Sequence, residues 1–166
     1  MEELDLRGEN AAWRFANIIL TVQLLILLVT VSILIFFPDQ VIHIMTEWTR
    51  AKDPEKYEMA RRSVVWLAPS LICLSLGSTT YMLLNGYKRF FLAAFGDATW
   101  KLCVLLFVLI GTGIFGLNYQ SLIFGLLIGS IAKLTTHLAG LAKEIHFIRP
   151  SFKLNHPAVK TMFLLM

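Results

Sequence analysis

The chain has 166 residues, of which 57% are hydrophobic and only 16% charged, and its formal net charge is +4. Soluble domains carry about 25% charged residues, so lipid rather than water is the natural surrounding of this much apolar surface. The basic residues lie in short, separated loops, which argues against nucleic-acid binding. No nucleotide-binding loop, metal motif or catalytic constellation is recognisable, so we expect neither an enzyme nor a cofactor or metal site.

Four apolar stretches are long enough to cross about 30 Å of hydrocarbon. They predict an all-α integral membrane protein with about four transmembrane helices in antiparallel hairpins, because the last two connections are short. In chain order the predicted segments are a cytoplasmic N-terminal segment at 1–14, a transmembrane helix at 15–37, an extracytoplasmic loop at 38–62, transmembrane helices at 63–85, 92–117 and 120–142, and a cytoplasmic linker at 143–166.

The loop at 38–62 contains a helix start. Asp53-Pro54-Glu55 combines an N-cap residue, a first-turn proline and acids near the positive end of the helix dipole. We therefore predict that a helix begins near residue 53 and continues into the second span. Pro69 lies inside that span, where it removes one backbone hydrogen bond and is expected to kink the helix. Residues 41–48 are short and mixed, and we interpret them as interfacial.

Charge asymmetry predicts the orientation. Four spans place both termini on one side, and Lys and Arg are enriched in cytoplasmic loops. The other side has five basic residues, offset by five acids. The side of the termini has eight, which predicts that it is cytoplasmic: Arg7, Arg14, Lys88, Arg89, Lys143, Arg149, Lys153 and Lys160.

Small and neutral polar residues recur within the spans. Gly125 and Gly129 form a GxxxG pattern, which is typical of closely packed membrane helices. The alternative interpretation is that these glycines mark sites where helices slide past each other during transport. The neutral polar residues could line a cavity, but interhelical hydrogen bonds are the simpler interpretation: Asn17, Gln23, Ser75, Thr79 and Thr80.

Four ionisable residues fall within the hydrocarbon: Asp97, Lys101, Lys133 and His137. A charge there costs several kcal/mol unless it is paired, hydrated or extended to the headgroups. One hypothesis is a cationic, water-accessible site between the third and fourth spans that attracts a lipid phosphate, with both lysines at a similar depth. The alternative is that Lys101 pairs with Asp97, four residues away, while Lys133 extends to the cytoplasmic headgroups.

Several motifs follow one another in a recognisable order. They are Ala11-Ala12-Trp13-Arg14-Phe15, Leu67-Ala68-Pro69-Ser70, Leu84-Asn85-Gly86-Tyr87-Lys88-Arg89-Phe90, Gly129-Ser130 with Leu134, and the stretch 147–165 with Arg149-Pro150 and Asn155-His156-Pro157. This succession resembles helices three to six of the first lobe of the MurJ/MviN family of lipid II flippases, in the MOP superfamily.

The resemblance implies a role in peptidoglycan biosynthesis. Family members are much longer, form two lobes around a central cavity, and move undecaprenyl-linked peptidoglycan precursor across the bacterial inner membrane. The residues with which they hold the cargo lie mainly on the first two helices and in the second lobe, outside the matching helices, so none is carried over. Lys101 and Lys133 stand where the family often has Asn and Gln. We expect a fragment, a split-gene product or an inactive copy that needs further helices or subunits to flip a lipid.

Two other functions compete with this one. The first is a non-transporting membrane scaffold or interaction protein, or a degenerate fragment, that kept the fold without the activity. The second is a small four-helix multidrug-type transporter, but such proteins usually carry an acid in the first span, and this one has none.

Overall fold

The structure, a computed structural model, describes residues 8–149 and within them five α-helices. They are α1 (Glu9–Phe36), α2 (Pro38–Met45), α3 (Pro54–Gly86), α4 (Phe90–Gly113) and α5 (Tyr119–Gly140), followed by a short 3₁₀ helix (Ile145–Phe147). In this part of the chain four helices, all except α2, are long and apolar enough to cross a membrane. The prediction of an all-α membrane protein with about four spans is confirmed. Predictions for Arg7, Lys153 and Lys160 lie outside the described residues.

The second half of the connection after the first span is the charged start of α3. α3 begins at Pro54, as the sequence predicts, and continues without a break to Gly86. The side chain of Asp53 does not cap the helix; it forms an ion pair with Lys56 at 3.2 Å. At 1.5 Å per residue α3 is about 50 Å long, so its charged first turns extend beyond the hydrocarbon. Pro69 lies inside this helix, and the kink there stays a prediction.

The other helix bounds differ modestly from those predicted. α1 begins at Glu9, within the segment predicted to precede the span, and ends before Pro38, which starts α2. α4 ends at Gly113, and the turn that follows places Gly116 and Asn118 at positive φ. These residues turn the chain tightly enough for α5 to run back along α4 as an antiparallel partner.

The helices pack in the spatial order α1, α3, α5, α4. α5 has its largest interface with α4 and its second largest with α3, and α3 packs in turn against α1. Large apolar side chains cover the outer faces, among them Val29 at 62% exposure and Leu109 at 60%. Hydrocarbon solvates such surfaces, so the interior of the bundle is left for small and polar residues.

Glycines bring α4 and α5 together. A Cβ added to Gly129 would lie 3.0 Å from the carbonyl oxygen of Trp100, and one added to Gly125 would lie 3.0 Å from Cβ of Phe107. A Cβ on Gly111 would lie 2.5 Å from Cβ of Ser121. The interpretation of the GxxxG pattern as close helix packing is confirmed.

Hydrogen bonds join α1 to α3 at mid-membrane depth. The Gln23 amide donates to the Ser75 hydroxyl at 2.7 Å and to the Ser75 carbonyl at 2.9 Å, and it accepts from the Thr79 hydroxyl at 2.6 Å. The interpretation of these three residues as interhelical hydrogen-bonding groups is confirmed.

Candidate functional site

The antiparallel register of α4 and α5 decides which ionisable residues meet. Trp100 faces Gly129, and Ala93 faces His137. In this register the residue of α4 at the level of Lys133 is Asp97, whereas Lys101 lies one helical turn further along, about 6 Å away. Lys101 and Lys133, which were expected at a similar depth in the membrane, therefore differ in depth by about one helical turn.

Asp97 on α4 and Lys133 on α5 form an ion pair between the two helices. Nζ of Lys133 lies 2.6 Å from Oδ1 of Asp97, and the side chains are 10% and 39% exposed, respectively. The ammonium also lies 5.9 Å from the ring centroid of Trp100, within range of a cation–π interaction. The alternative in which Asp97 pairs with Lys101 and Lys133 extends to the headgroups is wrong, because Lys133 takes the carboxylate.

The stem of Lys133 lies in a gap that α3 leaves open. A Cβ on Gly77 would lie 3.2 Å from Cε of this lysine. Glycine at position 77 therefore lets the long side chain run between α3 and α5 towards α4. Lys133 is thus surrounded by three helices.

His137 lies one turn from Lys133 and is fully buried. Its Nδ1 lies 2.9 Å from the carbonyl oxygen of Gly77 and 3.3 Å from the hydroxyl of Thr80, both on α3. Its Nε2 lies 3.1 Å from the carbonyl oxygen of Ala93 on α4. The imidazole therefore links three helices, and with Asp97 and Lys133 it forms what we call the interior polar cluster.

Lys101 is placed differently from the other three. Its side chain is exposed on the outer face of α4, and within the described part of the chain no carboxylate pairs with it. It lies eleven residues into a 24-residue span, so its Cα is about 16 Å from the start of the helix. An exposed ammonium at this depth is costly in lipid.

Lys88 and Arg89, the two basic residues of the loop between α3 and α4, are in different environments. Lys88 lies in the turn with a positive φ of 59°. Arg89 turns inwards and binds Glu144 in a bidentate pair, with Nη1 to Oε2 at 2.9 Å and Nη2 to Oε1 at 2.7 Å. Arg89 also donates to the carbonyl oxygen of Gly140 at the end of α5. It therefore secures the last turn of α5 rather than serving as a free loop cation.

Sequence reasoning did not foresee the partner of Arg89. One signal was available: Glu144 is the single acid in the basic stretch 143–166. It is 9% exposed, and a buried carboxylate needs a cationic partner.

Metal binding finds no support in the geometry. Within residues 8–149, no group of three His, Cys, Asp or Glu side chains is arranged to hold an ion. Cys73 and Cys103 are free thiols.

Together these features define a multi-pass membrane protein with ionisable side chains inside its spans, which is the class that contains transporters. The family model described as lipid II flippase MurJ matches residues 1–166, the whole chain. The chain therefore belongs to the MurJ lipid II flippase family, whose members are transporters with a lipid substrate, and the resemblance seen in the sequence is confirmed. A comparison with curated proteins gave no match.

Proposed function

We propose that this chain contributes helices to a flippase that moves undecaprenyl-linked peptidoglycan precursor, lipid II, across the inner membrane in cell-wall synthesis. In this proposal both ends of the chain face the cytoplasm, and further transmembrane helices complete the transport path. Membership of the MurJ family supports the lipid substrate, and the excess of Lys and Arg beside the termini supports the orientation.

The observation that carries the proposal is Lys101. A permanent cation exposed near the middle of a membrane helix is tolerated where it meets water, an anion or a protein partner. Among the described residues, Lys101 has no carboxylate partner. The outer face of α4 around Lys101 is therefore proposed to face the transport cavity or a further helix instead of bulk lipid.

The charge balance of the interior supports an anionic cargo. Asp97 neutralises Lys133 at 2.6 Å. Lys101, on the same helix as Asp97, therefore remains as a positive charge without a carboxylate partner among the described residues. A lipid-linked precursor carries phosphate groups, and an ammonium attracts phosphate strongly in a poorly hydrated site. Lys133 and His137 then act as structural supports that hold α4 in position relative to α3 and α5.

Complementation of a strain depleted of its own flippase tests the proposal. The chain is expressed alone and together with the open reading frames immediately upstream and downstream of its gene. Growth restored by the combination, or by the chain alone, supports a transport function. Failure of both, with the proteins present in the membrane, favours the non-transporting scaffold.

Two variants then test the role assigned to Lys101. Lys101→Leu is expected to abolish complementation without loss of folded protein, because the exposed side chain forms no ion pair with the described part of the chain. Lys143→Gln is the matched control, since this exposed lysine lies outside the spans. Full growth with Lys101→Leu would remove Lys101 from the transport path.

A further inference from the structure

The two ends of the described chain meet and border an open cavity of about 390 Å³. Residues from the start of α1 and from the 3₁₀ helix line it, and we call it the terminal basic pocket: Trp13, Arg14, Asn17, His146, Phe147 and Arg149. This volume falls within the range of small-ligand sites, roughly 300–1,000 Å³. None of these described lining residues is acidic.

Asn17 holds the two ends of the described chain together at the pocket. Its amide group donates to the carbonyl oxygen of Phe147 at 2.7 Å and accepts from the backbone N–H of Arg149 at 3.1 Å. Asn17 is 8% exposed, so both halves of the amide are engaged within the fold. This pair of hydrogen bonds fixes Arg149 beside α1, 132 residues away in sequence.

An aromatic stack supports the same junction. The Trp13 and Phe147 rings are stacked, with centroids 5.7 Å apart and planes 15° apart. The Trp13 indole N–H donates to the hydroxyl of Tyr87 at 2.7 Å. Trp13 is 4% exposed, so the floor of the pocket is formed by a side chain that is packed within the fold.

The charged groups of the pocket, in contrast, are uncommitted. Arg14 and Arg149 are exposed, and neither forms an ion pair with a carboxylate in the described part of the chain. The acid close to this region in sequence, Glu144, is engaged by Arg89. Two guanidinium groups thus border one cavity, with His146 beside them and, within the described residues, no carboxylate paired with either.

Depth in the membrane points to the ligand. Arg14 immediately precedes the apolar stretch of α1, which begins at Phe15, so the pocket lies at the level of lipid headgroups. Trp side chains are enriched at this level, and guanidinium groups bind phosphate oxygens in bidentate fashion. We propose that the terminal basic pocket binds the phosphate group of an anionic lipid headgroup. This site is separate from the proposed transport path and does not depend on it.

Native mass spectrometry of the full chain in detergent micelles tests the proposal. Phosphatidylglycerol is titrated against the wild type and against Arg14→Gln/Arg149→Gln, with phosphatidylcholine as the zwitterionic reference. Each cation at a membrane surface contributes about fivefold to affinity for anionic lipid, so the double variant is expected to bind phosphatidylglycerol about 25-fold more weakly. The wild type is expected to prefer phosphatidylglycerol to phosphatidylcholine, and the variant to lose this preference.

The controls separate this pocket from general basicity. Lys143→Gln removes a nearby exposed cation that does not line the pocket, and its affinity is expected to stay within twofold of the wild type. Arg14→Lys/Arg149→Lys keeps the charges but loses the bidentate geometry, so its affinity is expected to lie between those of the wild type and the Gln double variant. Equal losses in the double variant and in Lys143→Gln, or wild-type binding by the double variant, would overturn the proposal.

Inorganic phosphate distinguishes the two sources of the ligand group. If millimolar phosphate displaces phosphatidylglycerol from the wild type but has no effect on the double variant, the pocket recognises the phosphate group itself. If phosphate does not compete while the double variant still loses binding, the pocket requires the lipid phosphodiester with its acyl chains. Both results support the site.

Discussion

The ion pair between Asp97 and Lys133 allows a sharp test of what stabilises this bundle. Replacing Lys133 with Met leaves a carboxylate without its partner in a largely apolar region, and replacing Asp97 with Leu leaves an unpaired ammonium. Breaking a buried pair by removing one partner costs about 3–5 kcal/mol, whereas replacing both with apolar residues is often neutral. The two single variants should therefore be much less stable than the double variant.

The structure also predicts which single variant suffers more. The side chain of Lys133 is 10% exposed and that of Asp97 is 39% exposed, so the orphaned ammonium is shielded more completely than the orphaned carboxylate. We expect Asp97→Leu to lose about 3 kcal/mol of unfolding free energy, at the low end of the range for buried pairs. Lys133→Met should lose about 2 kcal/mol, below that range, because water partly screens the carboxylate that is left behind. The double variant should stay within about 1 kcal/mol of the wild type.

Unfolding in mixed micelles with increasing SDS, followed by circular dichroism, measures these differences. Lys101→Met is the matched control. This lysine lies on α4, one turn away from Asp97, but its side chain is exposed. Its unfolding free energy should change by no more than about 0.5 kcal/mol. If the double variant were as unstable as the worse single variant, the pair would not be coupled and the argument from burial would fail.

Three further predictions concern contacts between helices. Gly96→Ala should lower the unfolding free energy by about 2–3 kcal/mol, because the added Cβ would lie 2.2 Å from Nε2 of the buried imidazole of His137; Gly113→Ala, where nothing lies within 4 Å, should be tolerated in the same SDS titration. Gln23→Leu removes three hydrogen bonds between α1 and α3 and should cost about 1–2 kcal/mol at roughly 0.6 kcal/mol per bond; an unchanged unfolding curve would show that these bonds contribute nothing. Arg89→Lys keeps the charge but not the bidentate geometry, so hydrogen exchange should speed up in the last turn of α5 and remain unchanged in α1.

Much of the fold could be predicted from local sequence. The length of an apolar stretch compared with the thickness of the bilayer is a property of one segment, so the four spans emerge without knowledge of their packing. The start of α3 at Pro54 is likewise encoded locally, by the first-turn proline and the acidic Glu55, although Asp53 does not cap the helix with its side chain. The GxxxG pattern at Gly125 and Gly129 predicted a close helix interface, although it did not name the partner helix.

The ionisable residues show where such reasoning ends. Spacing along one helix places Asp97 and Lys101 on neighbouring positions of the same face, and pairing them was a reasonable expectation. The structure pairs Asp97 with Lys133 instead, because the turn after α4 and the glycine contacts with α5 set a register that brings these two side chains together. Rotation and register are properties of two helices at once, so no single segment contains them.

By itself, then, the sequence determined the class of protein, the number of spans, the helix start at Pro54 and the family resemblance. Only the tertiary structure decided that Lys133 is buried in an ion pair while Lys101 remains exposed, and that Arg89 secures α5. It also decided that Arg14 and Arg149 border one pocket. The physical reason is that these relations join residues of different helices, up to 132 positions apart, and depend on packing in three dimensions.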